Sequence, residues 1–184
     1  MRAYKVLKKQ EFKLDDFCLT PIRHQDRLKI MQWRNEQIYH LRQNVFLTKD
    51  AQDKYFKEII EPLFEEKQPE QLLFSFLKVD KLIGYGGLVH IDWIKGTAEI
   101  SMIMDTKLEQ EYFVEIWIVF LSLIKSVALD ARLTEVYTYA YDIRPRLYVA
   151  LERSGFKLLE RIPKASRIGI ELVDVVKHNF VING

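Results

Sequence analysis

The stretch Lys81 to Asp105, KLIGYGGLVHIDWIKGTAEISMIMD, constrains the fold most. It reads as two long strands joined by a tight turn at Lys95-Gly96, with the second strand stopping at an acidic residue. The apolar and aromatic run Leu72 to Val79 precedes it through the turn Asp80-Lys81, so a three-strand meander is predicted over Leu72 to Val79, Leu82 to Trp93 and Thr97 to Met104. Gly84, Gly86 and Gly87 in the middle strand predict a bulge or the close approach of another backbone. A strand of this kind before a long helix often feeds a glycine-rich turn that holds a phosphate. Here the connection reads Thr106-Lys107-Leu108-Glu109-Gln110-Glu111-Tyr112-Phe113-Val114, with no glycine.

The remaining elements fall around this meander. Phe17 to Arg23 reads as a first strand that Pro21 shortens or confines to an edge. Asp26 to Asn35 reads as a helix with Leu28, Ile30, Met31 and Trp33 on one broad buried face. A second helix opens after Thr48 or Asp50, either of which can cap it, and turns Tyr55, Phe56, Ile59 and Ile60 inward. Glu61 to Glu70 reads as a surface loop. A long helix is predicted from about Gln110 to Leu129, and a short alternating strand from Glu135 to Tyr141. Pro145 suits the start of a helix that Gly155 ends, and strands near Lys157 to Arg161 and Ile168 to His178 close the chain. The order βαα-βββ-α-β-α-ββ describes a mixed α/β (α+β) domain spanning residues 1–184.

Composition narrows the function classes. At 184 residues the chain can bury a sizeable core as one domain, and 48% hydrophobic residues argue against disorder. With 28 basic and 26 acidic residues interspersed, no concentrated basic face is expected, so no nucleic-acid partner is. The lone Cys18 excludes an internal disulfide and a cysteine-based zinc site, no metal is expected, and Phe17-Cys18-Leu19 reads as the setting of an inert buried thiol. The charged start MRAYKVLKKQEF lacks an apolar signal core, and Phe113 to Leu129 is interrupted by Glu115 and Lys125, so neither secretion nor a membrane span is expected. A cytoplasmic setting is the default expectation.

Three segments carry a joint signal: the hairpin with Leu82-Ile83-Gly84 and Ala98-Glu99-Ile100-Ser101, the run Leu147-Tyr148-Val149-Ala150-Leu151-Glu152-Arg153-Ser154-Gly155-Phe156, and Trp33-Arg34-Asn35 followed by the helix start at Thr48. Together they resemble the GNAT superfamily of acetyl-CoA-dependent N-acyltransferases. The last pairing is similar to the branch containing ribosomal-protein N-terminal and nucleotide-amino-sugar acetyltransferases. The resemblance covers roughly Leu19 to Lys177. It implies a mostly antiparallel central sheet whose strands Thr97 to Met104 and Glu135 to Tyr141 part to admit the pantetheine arm. It also implies acetyl-CoA as acyl donor, with Ile103, Met104, Asp105, Gln110, Glu111, Tyr112, Phe113 and Val114 at the donor site. The chain departs from the family in two places. The expected pyrophosphate loop at Glu109 to Val114 carries two carboxylates and bulky side chains, which disfavour a diphosphate. Leu151 also stands where many members place the tyrosine that protonates the leaving thiolate.

Residues with suitable chemistry are few. Glu99 is the first candidate for general base, by analogy with relatives that use a strand carboxylate, and His90 is the second because imidazole titrates near neutrality. Tyr148, close to one helical turn before Leu151, is the candidate proton donor. Arg144 and Arg146 are placed by the resemblance at the adenosine-phosphate end of CoA. Trp33, Arg34, Asn35 and Arg42 could hold the acceptor, since arginine binds phosphate or carboxylate through paired bonds. Tyr137, Tyr139 and Tyr141 share one strand face and could line its cleft. The expected function is acetyl transfer to a primary amine of a small molecule, with a nucleotide-linked amino sugar favoured and a homodimer possible. Two alternatives remain: a binding or scaffold protein on the same fold that no longer binds CoA, and acyl transfer from a carrier protein.

Overall fold

In the computed structural model, which describes residues 2–182, eight strands form one sheet in the order β1-β2-β3-β4-β5-β6-β8-β7. The strands are β1 (Phe12–Leu14), β2 (Phe17–Pro21), β3 (Leu72–Lys78), β4 (Lys81–Asp92), β5 (Thr97–Met104), β6 (Glu135–Tyr141), β7 (Lys157–Ile168) and β8 (Glu171–Val181). Neighbours are antiparallel except β5 and β6, which run parallel. The expected meander is β3-β4-β5. Two expectations are corrected. A short β1 pairs with β2, so Phe17–Pro21 is an inner strand and Pro21 lies at its end. The last hairpin is longer than expected: β7 runs on through Pro163 to Ile168, its register shifting between Ile162 and Ser166 to pass the imino acid.

The helices are α1 (Arg27–Glu36), α2 (Lys49–Tyr55), α3 (Glu61–Leu63), α4 (Thr106–Glu111), α5 (Phe113–Asp130) and α6 (Pro145–Arg153). Thr48 caps α2, its hydroxyl accepting from the Ala51 N–H at 3.2 Å. A π-helical turn, Phe56–Ile60, joins α2 to α3 directly before Pro62, whose ring cannot accept a normal α-helical carbonyl beneath it. That turn points Phe56 and Ile60 inward but leaves Ile59 exposed, against expectation.

The core lies where α5 crosses the sheet. Phe113, Trp117, Phe120, Leu121, Ile124 and Val127 recur at helical spacing and are all buried. Gly86 and Gly87 make the middle of the sheet possible. A Cβ on Gly87 would sit 1.9 Å from the Leu72 carbonyl oxygen, and one on Gly86 would sit 2.2 Å from that of Ser101. Backbones on both sides of β4 therefore approach closely, as its glycines predict.

Candidate active site

The site arises from a fault line in the sheet. β5 and β6 pair at only Thr97↔Glu135, Ala98↔Val136 and Glu99↔Tyr137. Beyond Glu99, β5 stays with β4 as far as Met104, while β6 stays with β8 as far as Tyr141. Their facing edges part, and a cavity of about 490 Å³ occupies the gap, walled by Ile100, Ser101 and Met102 on one side and Thr138, Tyr139 and Tyr141 on the other. Tyr112 and Phe113 do not plug it: Tyr112 is exposed, and Phe113 is packed in the core.

Glu99 sits where the strands separate and is 5% exposed. Burial raises its pKa, while Arg42, which forms an ion pair with it, and His90 act in the opposite direction. His90 lies opposite because β4 is irregular there. Val89 faces Glu99 and Asp92 faces Thr97, so His90 and Ile91 together oppose Ala98. His90 takes the extra place in a left-handed conformation, φ 51°, which brings Nε2 to 3.9 Å from Glu99 Oε2 with the ring largely in solvent. A buried carboxylate thus neighbours an exposed imidazole. Arg42 also lies 4.9 Å over the Tyr139 ring.

The other end of the cavity holds Arg144 and His40. Arg144 Nη1 donates to His40 Nε2 at 3.3 Å, and the guanidinium lies 5.5 Å over the Phe113 ring. Burial, then the charge of Arg144, hold the His40 pKa down at about 3. His40 is therefore neutral, with Nε2 free to accept. Arg146 also lies over the Phe113 ring, at 4.6 Å, and binds Glu109 through its carboxylate, 3.0 Å, and carbonyl, 3.2 Å.

This geometry corrects several expectations. The anticipated loop at Glu109 to Val114 is helical: α4 is capped by Asp105, whose Oδ1 accepts from the Lys107 N–H at 3.0 Å, and the chain bends only at Tyr112 before α5. Gln110 and Glu111 are exposed on α4, and Glu109 is turned inward and neutralised by Arg146. The side chains of Ile103 and Met104 are buried in the sheet, which leaves only their backbone for a donor, and Val114 packs against the core. Trp33 is 1% exposed in the core. Asn35 clamps the Leu47 backbone, donating to its carbonyl at 2.9 Å and accepting from its N–H at 2.8 Å. Neither residue lines the cavity: Trp33 points into the core, and Asn35, on another face of α1, is occupied by the Leu47 backbone. Tyr148 is diverted too: its hydroxyl donates to Asp142 at 2.6 Å, its ring stacks on His178, and burial with the Asp142 bond pushes its pKa up, so it is a poor acid. Cys18 is half-buried rather than enclosed, and burial raises its pKa.

Arg34, Arg42, Glu99, His90, Tyr139, Tyr141 and Arg144 do meet at the cavity. His40, Gln71 and Thr138 also line the cavity and are not picked out by the sequence. Thr138 is the most informative of these. It lines the gap, and its buried hydroxyl has no hydrogen-bond partner. Among the described residues no cluster of three His, Cys, Asp or Glu side chains could hold a metal, and no helix is long and apolar enough to cross a membrane.

A mixed sheet parted at one parallel strand pair, with a carboxylate at the point of parting, defines the N-acyltransferase class of fold. Residues 19–176 match the family described as Acetyltransferase (GNAT) domain, and the chain belongs to the GNAT family of acetyl-CoA-dependent acetyltransferases. Spermidine N-acetyltransferase from Vibrio cholerae, in a complex with CoA and spermine, superposes with TM-score 0.77 at 16% identity, over 92% of this chain and 97% of that one. A dodecameric structure of the Vibrio cholerae enzyme gives TM-score 0.71 at 17% identity, over 91% and 95%. Ribosomal-protein-S5-alanine acetyltransferase from Vibrio fischeri gives TM-score 0.74 at 13% identity, over 95% and 98%. No protein with curated annotation matches the sequence significantly.

Proposed function

We propose that this protein transfers an acetyl group from acetyl-CoA to a primary amine of a small molecule. The observation that carries this reading is the open gap between β5 and β6 with Glu99 buried at its closed end. A pantetheine arm fits the gap: unpaired strand edges offer backbone groups to its amides, and the orphaned Thr138 hydroxyl gains a partner. Arg144 on the cavity wall supplies positive charge in place of the absent glycine loop, and Arg146 offsets the Glu109 charge that would oppose it.

In the step itself the amine nitrogen attacks the thioester carbonyl carbon and a C–N bond forms. The carbonyl electron pair moves to oxygen and returns as the C–S bond breaks, leaving on sulfur as the thiolate. The proton lost by nitrogen passes to Glu99 and from there through His90 to solvent. Tyr139 and Tyr141 place phenol groups on the cavity wall, where Tyr148 and Leu151 place none.

The favoured nucleotide-linked amino sugar now draws its support from Arg34 alone, since Trp33 and Asn35 are structural. Arginines 34, 42 and 144 on the wall are a poor match for a polycation such as the spermidine of the Vibrio cholerae enzyme. Two observations favour the other readings. Buried Leu151 suits a non-catalytic binding protein, and helical Glu109 suits an acyl donor without a diphosphate, such as a carrier protein.

Calorimetric titration with acetyl-CoA is the test. Heat of binding together with a fall in kcat of about 100-fold in Glu99→Gln, at unchanged acetyl-CoA affinity, is the expected result. No heat at millimolar acetyl-CoA sinks the reading, and turnover from an acylated carrier alone selects the carrier variant.

A further inference from the structure

A second cavity, about 210 Å³, shares Arg34 as a wall with the first. Its lining is mainly apolar and aromatic: Ile22, Ile30, Leu47, Tyr55, Phe56 and Tyr85. Arg34 is half-buried between the two spaces. Buried cations are normally paired with carboxylates, because desolvating an unpaired charge is costly. The other two arginines of the main cavity are occupied, Arg42 by Glu99 and Arg144 by His40 and the Phe113 face. Arg34 has only neutral partners: Nη1 donates to the Tyr85 hydroxyl at 2.6 Å and Nε to Gln43 Oε1 at 3.0 Å. Of the five N–H groups of a guanidinium, these two bonds leave three, including both on Nη2, without a protein acceptor.

We propose that Arg34 binds a carboxylate on the acceptor, and that the second cavity takes an apolar side chain borne by the same molecule. The acceptor is then an amine that also carries a carboxylate and an apolar group, as an apolar α-amino acid does. The order of functions in such a molecule follows the order of the two spaces. Glu99 and the β5-β6 gap lie in the first cavity, the carboxylate receptor stands at the partition, and the apolar space lies next to it. A planar carboxylate meets the free edge of the guanidinium in a paired geometry that an ammonium or hydroxyl cannot reproduce. This inference rests on the acetyl-transfer reading for the identity of the amine, and not for the binding of the carboxylate.

The test uses matched acceptors that differ by one group. Thiol release from acetyl-CoA is measured with L-phenylalanine against phenethylamine, L-leucine against isoamylamine, glycine, glucosamine 6-phosphate and spermidine. The expected result is a kcat/KM for the amino acids about 100-fold above that for their decarboxylated partners. Arg34→Gln brings each pair to within about threefold, chiefly through KM for the acceptor, and Arg34→Lys, which keeps charge without the fork, recovers only part of the preference. Ala51→Trp, at an exposed position on the wall of the second cavity, lowers turnover of L-phenylalanine and L-leucine more than that of glycine. Equal turnover with and without the carboxylate overturns the proposal while leaving acetyl transfer standing. So does a preference for glucosamine 6-phosphate that survives Arg34→Gln. Calorimetry with N-acetyl-L-phenylalanine separates the two readings: binding lost in Arg34→Gln supports the carboxylate site even where no thiol is released, and absence of binding to the wild type overturns it.

Discussion

Neutral His40 has a cost on the acid side of neutrality. Its pKa falls from an ordinary 6.5 to about 3 on folding, through burial and the nearby Arg144 charge. The unfolded chain takes up a proton below pH 6.5 and the folded chain does not, so stability is complete above pH 6.5 and declines as pH falls toward 3. At pH 5 the loss from this one group is about 2 kcal/mol. Urea unfolding at pH 7 and pH 5 measures it, and His40→Gln, which still offers Arg144 an acceptor, flattens the difference. Single residues were also where sequence reading fell short. Glu99, His90 and Arg42 are readable as candidates because carboxylate, imidazole and guanidinium announce their chemistry, and the fold brings the three to one cavity. Trp33 and Asn35 stand in sequence beside Arg34, but a helix sends adjacent residues to different faces, and only the fold shows which one meets the cavity. His40 gave no sign, since its role comes from an arginine 104 positions away.

Among elements, β4 bears the closest packing. Gly87 lies between Leu73 of β3 and Ser101 of β5, and a methyl group there meets the Leu72 carbonyl at 1.9 Å. Gly87→Ala therefore forces β3 and β4 apart, costing about 3 kcal/mol in thermal or denaturant unfolding, with lower activity because β5 carries Glu99. An unchanged melting temperature would show that the strands separate more easily than this geometry implies. The glycines were readable as a place where backbones approach, since a missing side chain in a strand needs a reason. The approach to the long helix departs from the expected loop for an equally local cause. Glu109 to Val114 lacks helix breakers, and Asp105 is a good cap, so the segment is taken up by the end of α4 and the start of α5, with only Tyr112 between them, rather than by an open loop.

At the scale of the molecule, β7 forms one edge of the sheet and is exposed along most of its length, with Leu158 61% and Leu159 56% accessible. We propose a homodimer along this edge, because the outer side of β7 is unpaired and a second copy can cover its exposed leucines. Light scattering is expected to give twice the 21.9 kDa chain mass, and Leu158→Lys to shift it to the monomer; a wild-type monomer at tens of micromolar removes the proposal. The order of elements was the most legible property of all, because alternation and punctuation survive over many residues. The extra β1 escaped notice because three residues are too few to show a period. The short lacing of β5 to β6 has a mechanical meaning. Three rungs hold two half-sheets together. Cargo lodged in the crevice therefore does the work of the missing rungs, and a protein filled with its reactants is a stiffer body than an empty one.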